Sequence, residues 1–316
     1  MKKAIAITAI IAAVSLLCVI GFAVGAAAQG VPVVLDSIHG RIGNIDIGNL
    51  ISQAINDEDV RLRFDDFTVK DSDKKTLDFS QVDTVNISVD AAKVIIEKTS
   101  GNTAEVLLET GNAIPAKRTL KAEVSGSSAV IESLYHNNGN FDVFNLTHTK
   151  VTIRLPEKNY SKIKLVLNAG DFSMEDAVSS NVNLELNAGN VNLNRVQGDD
   201  FTVTCNAGNI ELENVTGKTL RIENNAGNVE VRDDSRFTDK IDGSVNVGNI
   251  TLRLPKDIGF ELQYKAEMGS ISNSFGGEDN GHFDIDNPVS KSGTILYGDE
   301  SCKITLNAEM GNIDIR

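Results

Sequence analysis

The chain has no tryptophan, only four histidines and three cysteines in 316 residues, and 5% aromatic residues. Each shortage narrows the function. Without an indole, the strongest platform for stacking a sugar is missing. His39, His136, His148 and His282 are scattered, and none has the spacing of a metal-ligand set. No C-x-x-C, G-x-S-x-G or P-loop phrase occurs. Basic residues are also in deficit: 30 Lys+Arg against 44 Asp+Glu give a formal charge of −14. With no Lys/Arg cluster in view, the composition argues against a nucleic-acid surface and against adhesion to anionic lipid.

The first 28 residues differ from the rest. Lys2 and Lys3 precede an uncharged apolar run from Ala4 to Ala28, longer than the ~20 residues that cross a bilayer. Two readings compete, an uncleaved anchor and a signal peptide cut near Ala26-Ala27-Ala28. Cys18 follows Leu17 and not a small residue, which argues against a lipoprotein site. Either way the lysines hold the N-terminus inside and residues 29–316 are exported. The expected location is the cell membrane, single-pass, with the C-terminal domain extracytoplasmic, or outside the cell if the segment is cleaved. Cys205 and Cys302 could pair in such a compartment, but the repeat below makes Cys205 a core position and favours free thiols.

What the chain has in plenty is repetition. Aligned on the glycine of N-x-G, the columns contain Gly170, Gly189, Gly208, Gly227, Gly248, Gly269 and Gly311. Their spacings are 19, 19, 19, 21, 21 and 42, the last long enough for one repeat plus an insertion. Apolar residues recur seven, five and three positions before each glycine, as in Val182, Leu184 and Leu186, and two and four after it, as in Val191 and Leu193. Each half therefore alternates with the two-residue period of a strand that buries one face. The inner columns are separated by five, an odd number, so an unbroken strand would put the halves on opposite faces. A turn at Asn-Ala-Gly-Asn is required, and glycine accepts the positive φ that such a turn demands. A second corner follows Ala177, Val196 and Val215. About 19 residues with two corners make one coil, and stacked coils, ~4.8 Å apart, would pair each strand with its equivalent. The rival is an antiparallel meander, which has no need of identical columns.

The expected organisation is a membrane segment at 1–28, a stalk at 29–81 with a short helix at 49–55, and a repeat domain at 82–316. VNISVDAAKVII (85–96) fits the repeat template with Ala92 at the glycine position. Two insertions break the period. That at about 104–155 suggests longer strands, with a hairpin around Ser125-Gly126-Ser127 that covers the first coil or side. That at about 275–301 is rich in Gly, Asp and Asn. Because the chain stops one residue after the core position Ile315, the Gly311 coil is expected to end the stack with an open edge, unless 275–301 folds over it.

Three groups carry chemistry worth weighing. Asn168, Asn187, Asn206, Asn225 and Asn246 stand two before the glycines, continued by Glu267 and Glu309. One after stand Asp171, Asn190, Asn209, Asn228, Asn249, Ser270 and Asn312. Stacked amides hydrogen-bond from coil to coil, so both columns read as structural ladders. Glu211 and Glu230 would lie ~5 Å apart in adjacent coils, nominally the separation of a glycosidase pair, but their neighbours make this a solvated face. Asp279, Asp284 and Asp286 offer hard oxygens to a cation, without the spacing of an EF-hand. No catalytic or cofactor-binding residue is assigned, and no cofactor is expected.

The repeats, with VNISVDAAKVIIEKT, IRLPEKNYSKIKL (153–165) and LRLPKDIGFELQY (252–264), resemble the bacterial adhesin-like family of β-strand-repeat, "toastrack"-like envelope domains. The resemblance covers roughly 82–316 and carries no catalytic residue. It implies a β-solenoid at the cell envelope, of unassigned function. The expectation is an all-β, right-handed solenoid behind one transmembrane helix. It would act without catalysis as an interaction, sensing or adhesion scaffold. The alternatives are a polysaccharide-active enzyme on a β-helix and a purely structural envelope protein. Expected partners are the membrane, through the N-terminal helix, and a protein or envelope component, or a second copy meeting the C-terminal coil edge.

Overall fold

The computed structural model describes residues 67–111, 117–136, 149–232, 234–275 and 290–316, with short strands at 41–42, 45–46, 278–279 and 282–283. The membrane segment, the short helix at 49–55, and Asp284 and Asp286 lie outside the described residues. The chain divides into two compact units, 1–63 and 64–316. In the first, Arg41–Ile42 pairs antiparallel with Ile45–Asp46.

The second unit is all-β, built from two sheets. Each repeat gives a long strand to the first sheet and a short strand to the second. In the Gly189 repeat these are Val178–Ala188 and Val191–Asn194. Equivalent strands pair in parallel: Leu184 stands opposite Leu165 on one side and Val203 on the other, and Leu193 opposite Met174 and Leu212. The meander is thereby overturned. Parallel pairing puts like on like, so a position that is apolar in one coil is apolar in most of the others.

The alternation fixes which face is buried. Val182, Leu184, Leu186, Val191 and Leu193 are all at most 2% exposed. Such residues form one continuous core from Phe79 to Ile315, and each buried aliphatic side chain contributes about 1.5–3 kcal/mol. Phe201 and Phe237 extend it edge to face, with centroids 5.7 Å apart. Asn224 stands where Leu186 and Cys205 stand in neighbouring coils; its Nδ2 donates to the Gly208 carbonyl at 2.9 Å.

The glycine corner has a steric cause that the sequence pattern does not display. Gly189 has φ +130°, and a Cβ there would sit 1.8 Å from the Gly170 carbonyl oxygen. Gly311, at φ +149°, would meet the Gly248 carbonyl at 1.7 Å. Each corner rests on the backbone of the next, so a side chain has no room even before its φ is considered.

The order of coils departs from the sequence at both ends. The Gly311 coil, expected to close the stack, lies inside it. Cys302–Met310 pairs parallel with Arg236–Val247 on one side and with Phe260–Met268 on the other. Ile313–Ile315 likewise lies between Ile250–Leu252 and Ile271–Asn273. The Gly269 coil is therefore outermost, and Lys291–Tyr297 covers its long strand antiparallel. At the opposite end, Thr84–Ala91 and Lys93–Thr99 are flanked by Ser128–His136 and Thr149–Pro156, again later in sequence. The hairpin at Ser125-Gly126-Ser127 joins Lys117–Ser125 to Ser128–His136 and covers this end of the first sheet. Asp71–Asp78, within the stretch read as stalk, pairs with Thr103–Thr110 to end the second sheet. Its sequence, DSDKKTLD, is charged, which guards an edge against further pairing.

Candidate functional site

The glycine corners carry two hydrogen-bonded chains of amides. In the first, Asn187 Nδ2 donates to Asn168 Oδ1 at 2.9 Å, Asn206 to Asn187 at 2.9 Å, Asn225 to Asn206 at 2.8 Å and Asn246 to Asn225 at 3.1 Å. Asn168 itself donates to Asp90 at 3.2 Å. The second chain binds backbone as well as side chains. Asp171 Oδ1 accepts from the Asn190 amide N–H and from its Nδ2, at 3.0 and 2.8 Å. The backbone pattern repeats at Asn209, Asn228, Asn249 and Asn312 and ends at Ser270. In each link one side-chain oxygen caps a backbone N–H of the next coil, which gives these residues a structural task.

Opposite this corner is the second, which the sequence placed after Ala177, Val196 and Val215 and which the structure turns one residue before each of them. Asp176, Arg195 and Asn214, each six residues after its glycine, have φ of 54°, 54° and 55°. Asp and Asn tolerate this conformation; Arg195 does not signal it. Its guanidinium bridges Asp176, with Nε to Oδ1 at 2.7 Å, and Glu175. That hydrogen bond holds the Asp176 carboxyl below its ordinary value and the Arg195 guanidinium above its own.

Glu211 and Glu230 do face each other in register. Arg232 binds Glu211 and also approaches Glu213 at 3.8 Å and Glu230 at 3.9 Å, while Arg253 reaches Glu230 at 2.9 Å. Two arginines thus hold both carboxylates in ion pairs, so the pair is engaged by its neighbours in the sheet. Cys205 and Cys302 are both buried, and no disulfide joins them. Burial, with the Asp239 charge nearby, pushes the Cys302 thiol up to about 11, away from reactive thiolate. Among the described residues there is no cluster of His, Cys, Asp or Glu suited to a metal; the side chain of Asp279, like Asp284 and Asp286, is outside that description.

A groove of about 790 Å³ opens where the last coils leave the stack by different routes. Leu252 runs into a loop through Pro255, Asn273 into Ser274-Phe275, and Ile315 into Arg316. Arg253, Lys256 and Arg316 line it, beside Phe275 and Tyr297. Those two rings pack on Phe260 at centroid distances of 5.3 and 5.4 Å and on each other at 5.0 Å, and they seal the core end. Arg316 is engaged by Asp314, as Arg253 is by Glu230.

Two facing sheets of parallel repeats, tied by amide chains at a glycine corner, define a β-strand-repeat domain. The chain belongs to the Toastrack family of domains of unknown function (DUF4097), whose model matches residues 66–239 and again 205–316. Solved structures similar to it include a "putative adhesin" from Bacteroides fragilis, at 16% identity and TM-score 0.47, covering 78% of this chain and 98% of that one. A "putative cell adhesion protein" from Clostridium sporogenes matches at 16% identity and TM-score 0.37, with 78% and 98% covered. A "putative adhesin" from Parabacteroides distasonis matches at 9% identity and TM-score 0.39, with 77% and 97% covered. No curated protein matches the chain significantly.

Proposed function

We propose that the chain is a non-enzymatic scaffold for interaction or adhesion at the bacterial cell envelope. The repeat domain, on this reading, is a right-handed β-solenoid, the hand that parallel crossovers almost always take. One N-terminal helix holds it to the membrane, and the solenoid is displayed outside the cytoplasm. The observation that supports a scaffold is where the polar side chains are used. Asparagines that could have formed a binding comb bind the next coil, and the best carboxylate pair is held by arginines. A stack tied this way is stiff and presents two broad outer faces. The apolar, uncharged run at 4–28 supports the anchor.

The test is photo-crosslinking in intact cells from outward positions such as Asn192, Thr251 and Ser272, followed by identification of adducts. A reproducible envelope partner, unaffected by Glu211→Gln with Glu230→Gln, is the expected result. Loss of glycan turnover in that double variant would instead point to an enzyme and sink the scaffold reading.

A further inference from the structure

We propose that the Gly311 coil, residues 302–316, exchanges between two copies of this chain. In the resulting dimer, each copy's coil fills the slot between the Gly248 and Gly269 coils of the other. The inference stands apart from the scaffold reading, because its partner is a second copy and its evidence is topological.

The slot is built wholly from earlier segments. Arg236–Val247 and Ile250–Leu252 form one wall, Phe260–Met268 and Ile271–Asn273 the other. The coil enters it through a single turn, 298–301. That turn crosses the start of Phe260–Met268, since Lys291–Tyr297 lies on one side of this strand and Cys302–Met310 on the other. The crossing is tight and bent. Gly298 has φ 65° and Glu300 φ 56°, and a Cβ on Gly259 would lie 2.0 Å from Asp299 Oδ1 and 2.4 Å from its amide nitrogen. A non-glycine residue in the left-handed region is strained, and an extended hinge relieves Glu300.

Every contact of the seated coil can be remade in a second copy. Asn312 caps onto Asn249 at 2.9 Å and receives Ser270 at 3.0 Å, and Lys303 pairs with Glu261 at 2.6 Å. These same partners await the coil in another chain, so exchange costs only hinge opening and association, and concentration decides the balance. The interior Gly189 coil has no such freedom. It is joined closely at both ends to coils stacked on it, from Glu175 to Val178 and from Asn194 to Gln197.

Ser244 and Asn307 are register partners across the seam, at a strand spacing of ~4.8 Å that a disulfide can bridge. Full-length chain carrying Cys18→Ser, Ser244→Cys and Asn307→Cys is refolded in detergent over a concentration series, oxidised, denatured and sized without reductant. The disulfide-linked dimer fraction should rise roughly tenfold for each tenfold in concentration while dimer is the minor species. Deleting Asp299 and Glu300 should make dimer predominate, because a short hinge cannot fold back. Linkage confined within single chains at every concentration overturns the exchange. So does a dimer formed equally by Asn307→Cys alone, which would report surface contact. If the shortened chain does not fold, the concentration series on the unshortened chain decides.

Discussion

Three alanine substitutions separate the two reasons for the glycine corner. At Gly189 both apply. Its φ of +130° is strained for alanine, and the new Cβ would lie 1.8 Å from the Gly170 carbonyl oxygen, where real Cβ atoms keep 3.0 Å or more. The coils must part by about 1.2 Å, the difference of those distances, against a spacing of ~4.8 Å. That opening loosens three links: Gly170 N–H to Ala188 at 2.9 Å, Phe172 N–H to Asn190 at 2.8 Å, and Asn190 N–H to Asp171 Oδ1 at 3.0 Å. At about 1 kcal/mol each, with about 1–3 kcal/mol of backbone strain, the loss is about 4–6 kcal/mol. Gly101 is the control for strain alone, with φ +84° and open space around its Cβ; about 1–2 kcal/mol is expected there. Gly269 controls for the clash alone: its φ is outside the left-handed region and its Cβ would meet the Gly311 carbonyl at 1.9 Å. As the outermost coil it can ease outward, at a cost of about 2 kcal/mol for two inter-coil hydrogen bonds. Urea unfolding followed by circular dichroism measures all three. If Gly189→Ala loses no more than Gly101→Ala, the resting of corner on corner is not what selects glycine.

Asn190→Ala should cost about 1–2 kcal/mol, because it removes the oxygen that accepts the Asn209 backbone N–H at 3.0 Å. Asn206→Ala, which breaks only side-chain links to Asn187 and Asn225, should cost less; equal urea midpoints would refute the distinction. Acid should loosen the Gly269 end. The Lys303 hydrogen bond holds the Glu261 carboxyl below its ordinary 4.5, and the Arg236 hydrogen bond holds Asp257 below 3.8. Carboxyls depressed by folding stabilise above their ordinary values and lose that contribution as pH falls through the lowered ones. Glu261→Gln should therefore flatten the acid dependence below pH 4.5, and an unchanged acid midpoint would remove the pair from the account.

The repeat could be read from sequence because parallel, in-register pairing copies each position onto its own kind. Leu165, Leu184 and Val203 announce one column. What a column cannot announce is which coil follows which. Gly269 and Gly311 are both preceded by Glu at −2 and followed by Ile at +2, so either order satisfies the pattern, and long-range pairing placed the later coil inside. The left-handed corner was half legible: Asp176 and Asn214 fit the chemistry, whereas Arg195 is held there by Asp176 and Glu175, a contact no local rule supplies. The arginine partners of Glu211 and Glu230 were hidden for a similar reason, since Arg253 stands past the end of the coil after that of Glu230, where the chain has left the repeat pattern.

The inside placement of the Gly311 coil also sets a clock during synthesis. When Leu252 leaves the ribosome, the Gly248 coil shows an unpaired edge whose native partner, up to Ile315, is 63 residues away. At roughly 5–20 residues per second that edge waits about 3–13 s. In the interval the Gly269 coil emerges bearing the same columns and can occupy the slot first. Correct assembly then requires the nearer coil to be displaced by the later one, so the final stage of folding is a competition between look-alike strands.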